Sequence, residues 1–233
     1  NRLTKPYHCL PIDTKGDHKK MVIPAPANRR QCLIESPMSE RVSKMCDSVL
    51  GMPMATASHK LMFGDIHLHK NEYTMVGVQR LKNFAASIAE VNREKIPGAI
   101  VELGVWRGGA MMVASAINTE AIEQRELYLF DAFEKIPGYG SNSFVNYLQV
   151  EESFVKDGFL KLGVMNEHVH FRKGLFQDTV PSWDKNDKVA VLRVDGNFYD
   201  SYQDAMYYMY ESVPVGGIVI FDDVMSHKSV MRF

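Results

Sequence analysis

The stretch that decides the fold is Val101-Glu102-Leu103-Gly104-Val105-Trp106-Arg107-Gly108-Gly109, which directly follows Ala99 and Ile100. Its apolar first half is typical of a strand buried on both faces, as in a parallel sheet. Its glycines allow a tight backbone turn and let a ligand approach the main chain. The stretch therefore predicts a strand, a glycine turn and a helix, with space for a nucleotide-like ligand at the carboxyl end of the strand.

Strands and helices alternate along the chain on both sides of this turn. Strands are predicted at 99–103, 127–131, 169–171, 189–194 and 217–221. Helices are predicted from Met75 to Val91, from Gly108 to Asn118, from Phe144 to Leu162 and from Tyr199 to Glu211. This alternation is typical of an α/β, doubly wound fold with a mostly parallel sheet covered on both faces.

The first part of the chain has a different character. Six prolines interrupt residues 1–60, and only Ser39 to Leu50 has a helical pattern, with Ser39 as its N-cap. We interpret residues 1–70 as an N-terminal extension that wraps the core or contributes to a subunit interface. Residues 71–233 form the main domain, whose carboxyl end looks incomplete because few elements follow the fifth strand.

The composition excludes several classes of protein. With 27 basic and 28 acidic residues in 233, the chain has no global charge that favours nucleic acid or an anionic membrane. No apolar run is long enough to span a membrane, and the amino terminus has no signal-peptide pattern. Three irregularly spaced cysteines fit neither a disulfide framework nor a zinc site, so we expect a cytoplasmic protein.

An acid closes the second predicted strand. Asp131 follows Leu127 to Phe130, and a carboxylate at this place accepts the ribose hydroxyls of an adenosine cofactor. The glycines do not form the G-x-G-x-x-G pattern of dinucleotide folds, which argues against an NAD-linked oxidoreductase. The alternative is a tight strand-to-helix turn with an acid on the surface.

Three further acids follow the fourth and fifth strands. Asp195 and the pair Asp222-Asp223 are expected at the same edge of the sheet, where carboxylates with water satisfy Mg²⁺ or Mn²⁺. The alternative is that they cap the helices that follow. Because converging carboxylates repel one another without a cation, the metal site is favoured.

Several motifs in this order resemble the macrocin-type O-methyltransferases. They are Met75-Val76-Gly77, Glu102 to Gly109, Asp131-Ala132-Phe133, Gly174 to Pro181, Leu192 to Gly196 and Phe221-Asp222-Asp223. The resemblance covers Tyr73 to Asp223. It implies a Rossmann-like class I methyltransferase fold that uses S-adenosylmethionine and Mg²⁺ to methylate sugar and phenolic hydroxyls of natural products.

The resemblance also implies roles for individual residues. The stretch Glu102 to Gly109 would hold the methionine part of the cofactor, and Asp131 its ribose. Around the adenine would lie Phe176, Gln177 and Asp178. A lid segment would contain Tyr73, Thr74 and Met75. The metal ligands would be Asp195, which also lies beside the cofactor, Asp222 and Asp223.

The chain departs from the family pattern at one position. The family commonly has Asp-Gly-Asp after the fourth strand, with the second acid resembling a general base, whereas this chain has Asp195-Gly196-Asn197. An amide takes no proton at neutral pH. Either the metal acidifies the acceptor enough for water to serve, or Asp200 or His227 is the base, or the protein binds cofactor without turnover.

The expected reaction is an in-line transfer of a methyl group to the oxygen of a small-molecule hydroxyl acceptor, dominated by alignment and charge stabilisation. The loop from Ile136 to Phe144 is either an acceptor-side lid or an ordinary surface loop. The extension at residues 1–70 makes a homodimer the expected assembly.

Overall fold

The computed structural model describes residues 10–14, 17–22, 39–51, 73–134, 147–196 and 198–222. The strands are β1 (Leu10–Thr14), β2 (Asp17–Val22), β3 (Ala99–Leu103), β4 (Leu127–Asp131), β5 (Val169–Lys173), β6 (Val189–Val194) and β7 (Ile218–Phe221). The helices are α1 (Glu40–Leu50), α2 (Val78–Arg93), α3 (Gly109–Glu120), α4 (Glu152–Lys161), α5 (Phe176–Thr179) and α6 (Tyr199–Met209). Short 3₁₀ turns follow α5 and α6. None of the helices in these ranges is long and apolar enough to cross a membrane.

One sheet runs through the molecule in the order β1-β2-β7-β6-β3-β4-β5. The five strands from β3 to β7 are mutually parallel, which confirms the doubly wound fold. From β3 the chain moves outward through β4 to β5, and then returns to the other side of β3 through β6 and β7. This reversal makes a topological switch point between β3 and β6, where open α/β sheets bind ligands.

Alternate residues of the strands bury opposite faces of the sheet. On one face, Ile100, Val191 and Ile220 pack into a core with α1, α2, α3 and α4. On the other, Leu103, Val194 and Phe221 pack with Tyr202 and other residues of α6. The strands β3 and β6 are buried along their whole length, as expected for central parallel strands.

Helix α1 begins and ends as its sequence predicts. The hydroxyl of Ser39 accepts a hydrogen bond from the Val42 N–H at 3.2 Å, which confirms Ser39 as the N-cap. Gly51 ends the helix with φ +68°, a left-handed conformation that glycine adopts without a steric cost. Helix α1 is therefore a formed, capped helix in the N-terminal part of the chain, and it packs against the main domain.

Two helices differ from the sequence-based predictions. Helix α2 begins at Val78 instead of Met75, since residues 73–77 are not helical. The helix predicted from Phe144 to Leu162 is interrupted at 149–151, and its first residues lie outside the described ranges. The carbonyl of Tyr147 accepts a hydrogen bond from Trp106 Nε1 at 3.1 Å, so this carbonyl is engaged by a distant side chain at the point where the helix breaks.

The hairpin β1–β2 is also a difference, because no strand is predicted before Ala99. The strand β1 pairs with β2 in antiparallel register, and β2 adds in parallel to the outer side of β7. Part of the N-terminal extension therefore extends the sheet instead of only wrapping the core.

Candidate functional site

The glycine turn between β3 and α3 lies directly against the end of β6. Gly104 has φ +92° and Gly108 has φ +85°, which are left-handed conformations that favour glycine. A Cβ on Gly104 would collide with the Asp195 carbonyl, and the Asp195 N–H donates to the Leu103 carbonyl at 2.8 Å. The turn and the first acid predicted from sequence are thus in contact at the switch point.

The carboxylate of Asp131 holds this turn in place. Its Oδ2 accepts hydrogen bonds from the backbone N–H of Val105 at 2.7 Å and of Trp106 at 2.9 Å. Trp106 has φ +49°, and these bonds help to stabilise this uncommon conformation. Burial raises the pKa of Asp131 above its usual value, although the hydrogen bonds from Trp106 and Val105 oppose the increase. The ribose-binding role stays a prediction.

The segment predicted as a lid lies on the amino end of α3. The carbonyl of Tyr73 accepts a hydrogen bond from the Gly109 N–H at 2.8 Å, and the Tyr73 N–H donates to Val49 in α1 at the same distance. A side chain at Gly109 would collide with Tyr73 and Thr74, so glycine is required for this close approach. Met75 is half-buried next in the segment.

A buried network of charges lies at the carboxyl ends of β3, β6 and β7. Arg193 contacts Glu102 through Nη1 and Asp222 through Nη2, and the same Nη2 lies 2.9 Å from Asp195 Oδ2. A second guanidinium, that of Arg80 in α2, contacts the other oxygen of Asp222. The register explains the cluster, because Glu102 pairs with Arg193 across β3 and β6, and Arg193 pairs with Ile220, two residues before Asp222.

Burial and charge shift the protonation equilibria of this network in opposite ways. Burial raises the pKa of Glu102 to about 7, even though the positive charge of Arg193 opposes that increase. Burial would lower the pKa of Arg193, but the charges of Asp222, Asp195 and Glu102 outweigh it and raise the pKa well above its usual value. No donor in the described ranges reaches Glu102 Oε2. The guanidinium therefore stays charged, while Glu102 changes protonation near neutral pH.

The predicted metal ligands are described only in part. Asp195 and Asp222 lie together as the sequence predicts, whereas Asp223 lies outside the described ranges. Within those ranges no group of three acidic, histidine or cysteine side chains could hold a metal ion. The two described acids are instead contacted by arginines, so the metal site stays a prediction.

The residues expected around the adenine lie beside the same edge. Phe176, in the short helix α5, would be 3.2 Å from a Cβ built on Gly196, so its ring borders the residue after Asp195. Gln177 and Asp178 are exposed in the same helical turn. Their contact with a cofactor stays a prediction.

The candidates for a general base are mostly not described. Asn197 and His227 lie outside the described ranges. Asp200 is exposed in the first turn of α6, one turn from Asp204. Burial and the nearby charge of Asp200 raise the pKa of Asp204. The Ile136–Phe144 loop also lies outside the described ranges.

Arg107, predicted to face the cofactor, lies among aromatic rings. Its guanidinium carbon is 4.6 Å from the centroid of Trp106, 4.9 Å from Tyr147 and 5.5 Å from Phe154. Such contacts contribute about 0.5–2 kcal/mol each. They tie the glycine turn to the segment that leads into α4, which gives Arg107 a structural role alongside the predicted one.

Two residues of the site, Arg193 and Arg80, are missed by the sequence reasoning. Arg193 carries a readable signal, because an arginine inside the apolar run Val189 to Val194 must find acidic partners on neighbouring strands. Arg80 carries none, since its partner Asp222 is 142 positions away and other charged residues, such as Lys82, lie in the same helix.

Comparison with known proteins places this geometry in a family. A profile described as macrocin-O-methyltransferase (TylF) matches residues 64–233. The chain is 35% identical over 167 residues to a demethyldecarbamoylnovobiocin O-methyltransferase of Streptomyces niveus, covering 66% of this chain and 63% of that protein. It is 32% identical over 163 residues to an 8-demethyl-8-(2,3-dimethoxy-alpha-L-rhamnosyl)-tetracenomycin-C 4'-O-methyltransferase of Streptomyces olivaceus, covering 65% of this chain and 62% of that protein. The chain thus spans less than two thirds of the length of these relatives.

A solved structure agrees with the sequence comparison. The O-methyltransferase NovP superposes with a TM-score of 0.72 at 28% identity, covering 82% of this chain and 86% of that chain.

Proposed function

The chain belongs to the macrocin O-methyltransferase family, and we propose that it transfers a methyl group from S-adenosylmethionine to a hydroxyl of a small natural product. The observation that carries the proposal is the contact between Gly104 and Asp195 at the switch point, which joins a ligand-accepting turn to an acidic strand end. The two similar enzymes named above are both O-methyltransferases, one of them named for a rhamnosyl compound. A sugar or phenolic diol is therefore the proposed acceptor class.

The residues of the turn fit the proposed cofactor. The absence of a Cβ at Gly104 and Gly109 lets the turn pack directly against Asp195 and Tyr73, so the turn lies at the switch point, and Asp131 holds it through two backbone N–H groups. When bound, S-adenosylmethionine supplies an electrophilic methyl group on a sulfonium. The segment at Tyr73 to Met75 would cover this side and exclude water, which favours methyl transfer to the acceptor over loss to solvent.

We further propose that Asp195 and Asp222 hold Mg²⁺, or Mn²⁺, together with Asp223. The donor set fits a hard cation, because the two described carboxylates approach the same nitrogen of Arg193 at the ligand edge. A bound cation would lower the pKa of the acceptor hydroxyl. Arg193 would keep the two carboxylates oriented and would stabilise their negative charge.

Proton removal must differ from the family pattern, because Asn197 is an amide. In the proposed transfer the acceptor oxygen would form a bond to the methyl carbon, the carbon–sulfur bond would break with its electron pair left on sulfur, and the acceptor would lose one proton. We propose that this proton passes to water, or to Asp200 or His227. Asn197 would orient the acceptor by hydrogen bonding.

A second candidate function is cofactor binding without turnover. Besides Asn197, one contact favours it: both carboxylate oxygens of Asp222 face guanidinium groups, those of Arg80 and Arg193. An acid neutralised in this way binds a cation less strongly. Turnover with a catechol or sugar diol separates the two functions.

For the assembly and setting we propose a cytoplasmic homodimer that acts on small molecules and binds neither nucleic acid nor a membrane. The nearly balanced charge of the chain supports the last point.

The test is calorimetric titration with S-adenosylhomocysteine and, separately, with NAD. Wild type should bind S-adenosylhomocysteine with micromolar affinity and should not bind NAD. Gly104→Ala should weaken binding by at least about tenfold, because its Cβ collides with the Asp195 carbonyl. Gly163→Ala is the matched control, because Gly163 also has a positive φ, of +67°, but has no atom within 4 Å of its built Cβ.

Methyl transfer is then measured by mass spectrometry of catechol and sugar diol acceptors, with and without Mg²⁺. Methylated product that needs Mg²⁺ supports the enzyme and its metal. Absence of S-adenosylhomocysteine binding by wild type would refute the proposed function altogether, and binding without any methylated product would favour the second candidate.

A further inference from the structure

Arg80 connects α2 to the acid cluster. It lies in the first turn of α2, and its Nη1 contacts Asp222 Oδ1. The Asp222 side chain is only 2% exposed, whereas that of Arg80 is 35% exposed. The contact between Arg80 and Asp222 therefore lies at the boundary between the buried acids and solvent. Asp222 is also one of the carboxylates that would bind the proposed cation.

The chain just before Arg80 contacts the other half of the site. The Tyr73 carbonyl accepts from the Gly109 N–H at 2.8 Å, on the glycine turn. Thr74 is buried there, and its hydroxyl accepts from the Val76 N–H at 3.0 Å, which closes a local turn. The Leu81 N–H donates to the Gly77 carbonyl at 3.0 Å and begins α2. One short segment therefore joins the glycine turn to the acid cluster.

The charge balance gives Arg80 a second effect. Three carboxylates (Glu102, Asp195 and Asp222) face two guanidiniums (Arg80 and Arg193). Arg193 is buried within the sheet, so its charge is a fixed part of the site. Arg80 reaches Asp222 from a helix. A positive charge in contact with this carboxylate opposes the binding of another cation there.

We propose that Arg80 is a positioning residue with two opposed effects: it anchors the Tyr73–Gly77 segment over the cofactor turn, and it competes with a divalent cation for the Asp222 carboxylate. This inference rests on the proposed function and deepens it. Cofactor binding and cation binding are then coupled through one side chain, and removing it shifts the two affinities in opposite directions.

The variants are Arg80→Met, which keeps the length of the aliphatic side chain without its charge, and Arg80→Lys, which keeps the charge. Arg93→Met is the matched control, because Arg93 lies at the other end of α2 in an exposed ion pair with Glu94, 3.0 Å away. Each folded variant is titrated with Mg²⁺, with Mn²⁺ and with S-adenosylhomocysteine in a calorimeter. None of these readouts needs turnover.

For Arg80→Met we expect cation affinity to rise about fivefold to tenfold and S-adenosylhomocysteine affinity to fall by a similar factor. Arg80→Lys should keep cation affinity within about twofold of wild type, and Arg93→Met should change neither affinity. A merely structural role would weaken both ligands together, and that result would overturn the inference, as would no change in either.

The results with wild type distinguish a failure of the proposed function from a failure of this inference. If wild type binds no S-adenosylhomocysteine, the methyltransferase assignment itself fails. If wild type binds S-adenosylhomocysteine but neither Mg²⁺ nor Mn²⁺, the competition at Asp222 is overturned while the cofactor assignment stands.

Discussion

Two clusters of charged side chains lie at opposite edges of the same sheet. At the carboxyl edge, Arg193 joins Glu102, Asp195 and Asp222, and the residues Glu102, Arg193 and Asp222 are 1–2% exposed. At the amino edge, Glu126 just before β4 accepts from His168 Nδ1 at 2.9 Å and also contacts His170 Nε2. The Glu126 side chain is 45% exposed.

The two clusters differ in the cation, which is arginine in one and histidine in the other, and in their exposure to solvent. In the exposed cluster, water screens the charges, and such pairs contribute about 0–1 kcal/mol. In the buried cluster Glu102, Arg193 and Asp222 have lost their hydration and depend on their protein partners. A folded chain gains little stability from burying a salt bridge, so stability alone does not account for the buried cluster, which lies at the proposed ligand-binding edge.

The largest effect should come from breaking the buried cluster at its centre. Arg193→Met leaves three carboxylates without their shared partner, and we expect the free energy of unfolding to fall by about 3–5 kcal/mol. Arg172→Met is the matched control on β5, because Arg172 is exposed with its guanidinium carbon 5.1 Å from the Tyr128 centroid. This control should lose less than about 1 kcal/mol. Urea unfolding at pH 7 measures both, and equal losses would show that burial does not determine the cost of removing an arginine.

A smaller effect concerns pH and Glu102. Its pKa in the folded protein is about 7, above the ordinary value of 4.5, because the side chain is buried. Between these values the folded state holds a proton that the unfolded state has lost. The free energy of unfolding contributed by this group therefore falls as pH rises from 4.5 to 7, by at most about 3 kcal/mol.

The variant Glu102→Gln does not titrate and should lack this part of the pH dependence. Denaturant unfolding of wild type and variant at half-unit steps from pH 5 to pH 8 measures the difference. Parallel curves for the two proteins would show that Glu102 is ionised throughout this range.

The central fold is readable from the sequence, because its signals are local. The strands β3, β4 and β6 have the bounds that their apolar runs predict, and the Ser39 cap forms as predicted. The break before α4 is not readable, since the Trp106 indole that engages the Tyr147 carbonyl is 41 residues away. The pairing of β2 with β7 likewise joins segments that are far apart in the sequence, and no local pattern specifies it.

The sequence also predicts part of the candidate site. Asp195 and Asp222 are predicted at one edge of the sheet, and their shared contact with Arg193 confirms that they lie together. Asp131 is predicted beside the turn and lies there, although the described contacts are with the backbone of the turn. The arginines are missed because the tertiary fold fixes which acid each one contacts, and no local pattern specifies these partners.

The smallest effect should come from the exposed cluster. Burial raises the pKa of Glu126, but the hydrogen bonds from His170 and His168 outweigh it, so the pKa lies below its ordinary value of 4.5. The stability that this group contributes is present above pH 4.5 and is lost as pH falls through the lowered pKa. Glu126→Gln should therefore cost less than about 1 kcal/mol at pH 6, and high salt should reduce that cost further.

Thermal unfolding at pH 6 and at pH 3, in low and high salt, measures this loss against Glu120→Gln, an exposed change at the end of α3. A loss of several kcal/mol that salt leaves unchanged would mean that Glu126 behaves as a buried charge despite its exposure. The contrast between the two edges would then depend on hydrogen-bond geometry and not on solvent. A small, salt-sensitive loss would leave desolvation as the property that separates the proposed ligand-binding edge from the opposite one.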